Sequence, residues 1–249
     1  MVQYTLVCQS VEKVLETLEP RSWRMLFMDP PDAIGLKYGQ YNDKRSTDEY
    51  LAWLEYILNL ATTVADIVWM SYNAKWTFNV GYIVCKLVAE KKLLTKPCVQ
   101  ILTFGQHNQH DLGNNHRPLI RLMHSDVELY PDAIRVPSWR QEHGDKRADP
   151  RGRVPGDTFD FPRVTGNSSQ RRKWHPTQLH EGLVERCIKL SCGTEDAVID
   201  AFSGTGTTLR VCRRLGLSSL SIELDKTYCE RIAADNNLSQ INDGEWVND

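Results

Sequence analysis

A glycine-containing turn between an apolar run and a helical repeat constrains this fold more than any other stretch of the chain. The stretch covers residues 197–211 and reads AVIDAFSGTGTTLRV. Val198 and Ile199 predict a short buried strand, the glycines predict a tight turn, and the apolar residues that follow recur at helical spacing. This order exposes backbone N–H groups at the start of the helix, where a ligand can touch the main chain.

A second strand, residues 219–223, follows this helix and ends in an acid, Glu223. Glu223 lies 19 residues after Gly204, close to the spacing of roughly 20 that separates a glycine turn from a ribose-binding carboxylate in nucleotide-binding folds. A plain strand–helix connection is the alternative interpretation, and Asp200 could equally well cap the turn. The two features together favour nucleoside binding. The candidate contacts in this unit are Asp200, Phe202, Ser203, Gly204, Gly206, Thr207 and Glu223.

Apolar strands alternate with amphipathic helices through the first hundred residues. Strands are predicted at 24–28, 66–70 and 99–103, and helices at about 51–61 and 76–89. This alternation is typical of an α/β fold with a mostly parallel sheet and helices on both faces. The length of 249 residues suits a single such domain.

The alternation stops at about residue 105 and resumes near residue 178. Residues 105–175 are rich in Gly, Pro, Asn, Arg and His. This segment is too long for an ordinary connection between two elements, so we expect a functional insertion. Residues 135–173 hold ten Lys or Arg and five Asp or Glu, a balance of +5, whereas the remaining residues carry −7. A basic segment on an acidic body favours a polyanionic partner, although a solvated basic loop has the same composition.

Asp29-Pro30-Pro31 directly follows a predicted strand, and open α/β sheets place their ligands at such strand ends. The prolines stiffen the backbone and offer carbonyl oxygens without N–H groups. A carboxylate beside a rigid carbonyl therefore accepts two hydrogen bonds, which matches the two hydrogens of an exocyclic NH₂ group. A turn that merely ends a strand would look the same.

Three motifs in this order resemble those of the DNA amino-methyltransferases in which the catalytic motif precedes the motif for S-adenosylmethionine. That family's catalytic Asp-Pro-Pro-aromatic motif is matched by residues 29–32, and its Phe-x-Gly-x-Gly motif is matched by residues 202–206. A third element before the last helices is similar to Trp174-His175-Pro176-Thr177-Gln178. The resemblance implies a Rossmann-like methyltransferase fold, S-adenosylmethionine as cofactor and residues 105–175 as the target-recognition region.

The resemblance also assigns candidate site residues. Asp29, Pro30, Pro31 and Asp32 would form the catalytic corner, and His175, Thr177 and Gln178 would join the cofactor contacts. Asp32 departs from the family, since the fourth position is normally an aromatic residue that stacks on the target base. Other rings would then have to supply that platform, and the candidates are Tyr38, Tyr41 and Trp174.

The implied reaction is direct methyl transfer to the amino group of a base flipped out of duplex DNA. Adenine is favoured because the resemblance associates Asp at position 29 with adenine; cytosine N4 is the alternative. A non-catalytic DNA-binding module on a degenerate fold, or an RNA or protein-amide methyltransferase, are further alternatives. The predicted contacts to DNA phosphates are Arg135, Arg140, Lys146, Arg147, Arg151, Arg153, Arg171, Arg172 and Lys173.

Metal binding is not expected, because His107, His110 and His116 lack a cysteine or carboxylate at a recognised metal-ligand spacing. Cys98 is interpreted as a buried thiol rather than a nucleophile. Seven cysteines without a C-x-x-C pair, no signal peptide and no long apolar run predict a cytoplasmic protein. The resemblance implies association with the nucleoid through DNA and a bacterial or phage type. A homodimer and a cognate restriction enzyme are partners that the resemblance leaves open.

Overall fold

A computed structural model describes residues 2–38, 41–102 and 108–248, with the backbone alone for 37–38 and 41–42. Its strands are β1 (Tyr4–Cys8), β2 (Trp23–Met28), β3 (Lys37–Tyr38), β4 (Tyr41–Asn42), β5 (Ala65–Ser71), β6 (Leu93–Ile101), β7 (His116–His124), β8 (Thr158–Asp160), β9 (Ala197–Asp200), β10 (Ser218–Glu223), β11 (Ser239–Asn242) and β12 (Glu245–Val247). Its α-helices are α1 (Val11–Leu15), α2 (Thr47–Val64), α3 (Thr77–Lys91), α4 (Trp139–Glu142), α5 (Glu181–Ser191), α6 (Thr207–Leu215) and α7 (Lys226–Asp235).

A ten-stranded sheet organises the molecule, in the order β11-β12-β1-β10-β9-β2-β5-β7-β6-β8. The five central strands of the sheet are mutually parallel, and in spatial order they are β1, β10, β9, β2 and β5. Antiparallel pairs flank them, since β12 pairs with β1 on one side and β7 pairs with β5 and β6 on the other. The predicted α/β fold is therefore confirmed, with a parallel centre and mixed margins.

Helices cover both faces of the sheet because its central strands are apolar on both sides. Successive side chains of β2 point to opposite faces: Leu26 and Met28 join a core with α1, α2 and α3, whereas Met25 and Phe27 join a core with α5 and α6. A third cluster packs α7 and part of α6 against β1. Ser46 begins α2 with the predicted capping box, in which Glu49 is its partner.

The strand β7 corrects the expectation that regular structure stops at residue 105. Residues 116–124 form a strand inserted between β5 and β6, and β6 begins at Leu93 rather than at residue 99. Leu119 and Leu122 of β7 are almost fully buried. The apolar residues of this strand form two pairs separated by Arg121, and His, Arg and Pro residues flank them, so the sequence shows neither a continuous apolar run nor an alternation. The part of 105–175 that lies outside the sheet core is thus shorter than predicted.

The parallel strands β2, β5, β9 and β10 all end at one edge of the sheet, which is the edge where α/β folds bind ligands. Within the described residues, no helix is both long enough and apolar enough to cross a membrane.

Candidate active site

A cavity of about 670 Å³ opens at this carboxyl edge. Strand register brings its two halves together, because Phe27 of β2 is the partner of Asp200 of β9 and the Ala201 N–H donates to the Phe27 carbonyl at 3.0 Å. Asp29, two residues after Phe27, therefore lies beside a turn encoded about 170 positions later. Both residues line the cavity.

The predicted catalytic corner lines this cavity with all four of its residues, Asp29, Pro30, Pro31 and Asp32. The two carboxylates share one cation that the sequence analysis did not single out, Arg117 of β7. Its Nη2 donates to Asp29 Oδ1 at 2.7 Å, and its Nη1 and Nη2 donate to the two oxygens of Asp32 at 3.0 Å each.

Opposing effects set the protonation of Asp29. Burial raises the pKa of its carboxyl above 3.8 and Asp32 adds to this, whereas the Arg117 charge and hydrogen bonds from Arg117 and Ser71 lower it. The net direction is upward. Asp29 is therefore a partly buried carboxylate, with 23% of its side chain exposed, and its ionised form depends on Arg117.

The glycine turn adopts the backbone that only glycine takes without strain, since φ is +51° at Gly204 and +71° at Gly206. Gly204 lines the cavity, and a Cβ there would lie 3.3 Å from the His175 ring. Gly206 does not line it; a Cβ there would meet the Ile232 side chain at 3.0 Å. This glycine lets α6 pack closely against α7, and the predicted cofactor contact at Gly206 stays a prediction.

Glu223 is held by three backbone N–H groups. Gly204 donates to its Oε2 at 2.8 Å, and Leu224 and Asp225 donate to its Oε1 at 2.9 and 3.0 Å. These bonds fix the carboxylate at the cavity wall and join the glycine turn to the end of β10. Burial nevertheless raises the pKa of Glu223 above 4.5. The remaining acceptor capacity of the carboxylate faces the cavity.

The other predicted residues of the turn also line the cavity. Asp200 is buried and accepts from the Phe202 N–H at 3.3 Å, and burial raises its pKa to about 7. The buried Ser203 Oγ has no hydrogen-bond partner among the described residues, and the Thr207 hydroxyl lies 3.0 Å from that of Thr205. Buried polar atoms without partners are uncommon and here line an open cavity, as expected of ligand contacts.

The third motif lies beside the glycine turn, since a Cβ on Gly204 would approach the His175 ring. His175, Thr177 and Gln178 all line the cavity, and Nδ1 of His175 lies 2.5 Å from the Thr177 carbonyl oxygen. Burial lowers the pKa of His175 below 6.5. Gln178 is fixed from both ends, because it donates to the Gln170 carbonyl at 2.6 Å and accepts from the Arg172 N–H at 2.8 Å.

The position of Trp174 argues against the predicted stacking role. Its ring packs on Tyr228 and under the guanidinium of Arg231, in the core of α7, and it does not line the cavity. The side chains of Tyr38 and Tyr41 lie outside the described part of the chain, although their backbones pair in the β3–β4 ribbon.

Most of the predicted phosphate contacts are separated from the cavity. Tyr130 donates to the Leu190 carbonyl and lies against Gly193, which puts the start of the basic segment where the parallel strands begin, not where they end. Val136 then pairs with Arg153, which closes the loop between them. None of Arg135, Arg140, Lys146, Arg147, Arg151 and Arg153 lines the cavity.

Local ion pairs further occupy this segment: Arg135 pairs with Asp132, Arg147 with Asp145 and Arg151 with Asp149. Arg172 is likewise paired, with Asp235 of α7. Arg171 alone among the predicted phosphate contacts lines the cavity, and its buried Nη1 has no hydrogen-bond partner among the described residues. Lys173 is exposed beside it.

Several residues of the cavity were missed by the sequence analysis. Arg117 is the most prominent, and an Arg at the start of an apolar strand was the available signal, because a charge drawn into a sheet requires acidic partners. Arg163 and Arg45 add two further cations to the wall, and Arg45 lies over the Trp53 ring at 4.5 Å.

The discounted alternatives concern metal and thiol chemistry. Among the described residues no group of three His, Cys, Asp or Glu side chains could hold a metal ion, and His107 lies outside those residues. Burial raises the pKa of Cys98 to about 11, and this thiol does not line the cavity.

Comparison with known proteins adds sequence relatives. The family model described as DNA methylase, of the N6/N4 type, matches residues 23–235. Type II methyltransferase M.HpaI of Haemophilus parainfluenzae is 28% identical over 235 residues, which cover 90% of this chain and 71% of that protein. DNA adenine methyltransferase YhdJ of Escherichia coli is 27% identical over 228 residues, which cover 86% of this chain and 76% of YhdJ.

Solved structures share the fold at lower identity. PvuII DNA methyltransferase, which is cytosine-N4-specific, aligns with a TM-score of 0.71 at 14% identity, covering 94% of this chain and 87% of PvuII. The complex of M1.HpyAVI with S-adenosylmethionine (SAM) aligns with a TM-score of 0.62 at 16% identity, covering 96% of this chain and all of M1.HpyAVI. Since the family model spans most of the chain and includes both the Asp29 corner and the Gly204 turn, the protein belongs to the N6/N4 DNA methylase family.

Proposed function

We propose that this protein transfers a methyl group from SAM to the exocyclic amino group of adenine in duplex DNA, with N4 of cytosine as the alternative target. The observation that carries the proposal is the shared cavity: an acceptor corner at Asp29 and Pro30 and the glycine turn at Gly204 line the same cavity. The named adenine specificity of YhdJ and the Asp at position 29 favour adenine.

The residues around the glycine turn fit SAM. Gly204 leaves room for close approach to the backbone, the Ser203 Oγ lacks a partner, and the Glu223 carboxylate is fixed at the distance along the chain expected for ribose hydroxyls. When bound, SAM supplies a methyl group on a sulfonium that is already activated for transfer. The buried Asp200 and the wall at His175 and Thr177 would complete the cofactor side.

The chain's own task is then to position and polarise the amine. The Asp29 carboxylate and the Pro30 carbonyl each accept a hydrogen bond from one N–H group of the amine. This arrangement favours a pyramidal nitrogen whose lone pair points at the methyl group. An amine inside a duplex is out of reach, so the base must be flipped, at a cost of a few kcal/mol. No covalent intermediate with the protein is required.

Contacts to DNA are assigned to the cations around the cavity mouth. Arg163, Arg171 and Lys173 belong to the end of the 105–175 region that borders the cavity, so we propose that this end is the part that meets the phosphates. A location at the nucleoid in the cytoplasm would follow from such a substrate. A homodimer and a cognate restriction enzyme stay predictions, the latter in line with the Type II name of M.HpaI.

The test is methylation of unmodified duplex DNA by the purified protein with SAM that carries a deuterated methyl group. Digestion to nucleosides and mass spectrometry distinguish N6-methyladenine from N4-methylcytosine, and we expect the former. Labelled N4-methylcytosine would favour the alternative target. Calorimetry without detectable SAM binding would instead favour the non-catalytic DNA-binding module.

A further inference from the structure

Arg117 is a partly buried cation that is shared unequally between the two acids of the catalytic corner. It makes one hydrogen bond to Asp29, through Nη2, and two to Asp32, through Nη1 and Nη2. Its Nε donates to the Ser71 hydroxyl at 2.7 Å, and Ser71 is also hydrogen-bonded to Asp29. Four of the five N–H groups of the guanidinium are thus committed.

Asp32 is itself fixed in place. The Trp76 Nε1–H donates to the Asp32 carbonyl at 2.9 Å, and the Asn73 amide lies 3.5 Å from Asp32 Oδ2. The Asp32 side chain is 12% exposed. The motif resemblance indicates that position 32 normally carries an aromatic residue. Here it carries an Asp that accepts two hydrogen bonds from the Arg117 guanidinium.

We propose that Arg117, clamped by Asp32, is the positioning residue that holds Asp29 as an oriented carboxylate for the substrate amine. Asp32 occupies the aromatic position because it serves as the second anchor of Arg117. The inference rests on the proposed amino-methyltransferase function, in which Arg117 and Asp32 keep Asp29 able to accept a hydrogen bond from the substrate amine.

The unequal sharing has a chemical consequence. Without Asp32, the planar guanidinium would turn to a bidentate pair with Asp29, which would occupy both carboxylate oxygens. With Asp32 present, one hydrogen bond from Arg117 orients Asp29 and leaves it acceptor capacity for the amine. Asp32 therefore both anchors Arg117 and limits its hold on Asp29.

The groups that face Asp29 come from every neighbouring element. Arg117 of β7 is its counterion, Asp32 lies in its own loop, Ser71 ends β5 and Asp200 ends β9. The buried Tyr50 of α2 also lies close and keeps its proton, since burial raises its pKa. Arg117 is thus the cation that favours the ionised form of Asp29 against burial and two nearby acids.

The first test is the pH dependence of single-turnover methyl transfer, with DNA and SAM saturating, for the wild type, Arg117→Gln and Arg117→Lys. We expect Arg117→Gln to be about 10- to 100-fold slower at pH 7. The acidic limb of the pH–rate profile of Arg117→Gln should lie at least about one pH unit above that of the wild type, so that the activity of the variant partly recovers at high pH. Arg117→Lys should restore part of both effects.

Arg121→Gln is the matched control. Arg121 lies four residues along on the same face of β7, over the Trp69 ring, and does not line the cavity. The substitution removes the same charge and should leave the acidic limb where it is in the wild type. A slow Arg117→Gln variant with an unmoved acidic limb would overturn the proposal and assign Arg117 a purely structural role.

Asp32→Asn supplies a second variant if Arg117→Gln does not fold. Loss of one anionic anchor should slow transfer at least about 10-fold, because the guanidinium then competes for both oxygens of Asp29. A rate equal to that of the wild type would contradict the anchoring role.

A readout without turnover separates this inference from the proposed function. In protein labelled with ¹³C at the aspartate carboxyls, the Asp29 signal, identified from an Asp29→Asn variant, should titrate at higher pH in Arg117→Gln than in the wild type. An equal titration midpoint would overturn the inference. If the wild type methylates no base but the Asp29 midpoint is still higher in Arg117→Gln than in the wild type, the function is refuted and the positioning role stands.

Discussion

Phe27 and Asp200 are register partners on the neighbouring parallel strands β2 and β9. Their alignment determines that the carboxylate of Asp29 and the backbone of Gly204 open onto one cavity, although the chain encodes them far apart. A methyl acceptor and a methyl donor can therefore meet there only because two strand ends coincide.

Replacing Asp29 by alanine should abolish methyl transfer while SAM binding is largely kept. The carboxylate is assigned to the substrate amine, so its loss should lower the single-turnover rate by at least about 100-fold. Radiolabelled methyl transfer measures the rate, and calorimetry measures SAM affinity. Turnover at the wild-type rate would remove Asp29 from the reaction.

Glu223→Ala should weaken SAM binding at least about 10-fold. The carboxylate accepts three backbone N–H groups, and hydrogen bonds to charged groups contribute about 1.5–3 kcal/mol each, so the glycine turn should loosen as well. Calorimetric titration with SAM measures the effect. Glu230→Ala, an exposed position on α7, is the control; equal affinities for the two variants would contradict the role of Glu223.

The salt dependence of DNA binding should distinguish the two parts of the basic segment. The double variant Arg171→Gln/Lys173→Gln should reduce the slope of log K against log salt by about 2, one unit for each lost phosphate contact. Arg147→Gln/Arg151→Gln removes two ion-paired cations away from the cavity and should leave that slope unchanged. The reverse result would place the DNA on the opposite edge of the sheet.

Asp200→Asn should raise the melting temperature at pH 8 and change it much less at pH 4.5. Burial raises the pKa of Asp200 from 3.8 to about 7. Between these values the unfolded chain has released a proton that the folded protein keeps, so the free energy of unfolding falls as the pH rises through this window. The free energy of unfolding that is lost across the whole window is about 4 kcal/mol.

Thermal unfolding at the two pH values measures this effect, with Asp243→Asn, an exposed acid, as the control. A gap in melting temperature between variant and wild type that is the same at both pH values would mean that the pKa of Asp200 is not raised into this window.

Local patterns were enough to predict the strands β2, β5 and β9, the capping box of α2 and the glycine turn that precedes α6. Each depends on neighbours in sequence: apolar runs, a Ser46–Glu49 spacing, a glycine turn. The resemblance then joined Asp29 to Gly204, which no local pattern does.

What could not be predicted depends on long-range register. The strand β7 enters between β5 and β6 from a region of polar composition, and only that insertion carries Arg117 to Asp29 and Asp32. The place of Tyr130, where the basic segment begins, is likewise set by contacts with Leu190 and Gly193, which composition does not reveal. Net charge indicated a basic segment but not the edge of the sheet on which it lies.

Modification-aware sequencing of DNA from cells that express the wild type or Asp29→Ala tests the central claim most directly. The account predicts a methyl group at the amino group of adenine, at a defined recognition sequence, in DNA from the wild-type cells and its absence in the Asp29→Ala cells. Unmodified DNA in both, from cells that contain folded protein able to bind SAM, would contradict it.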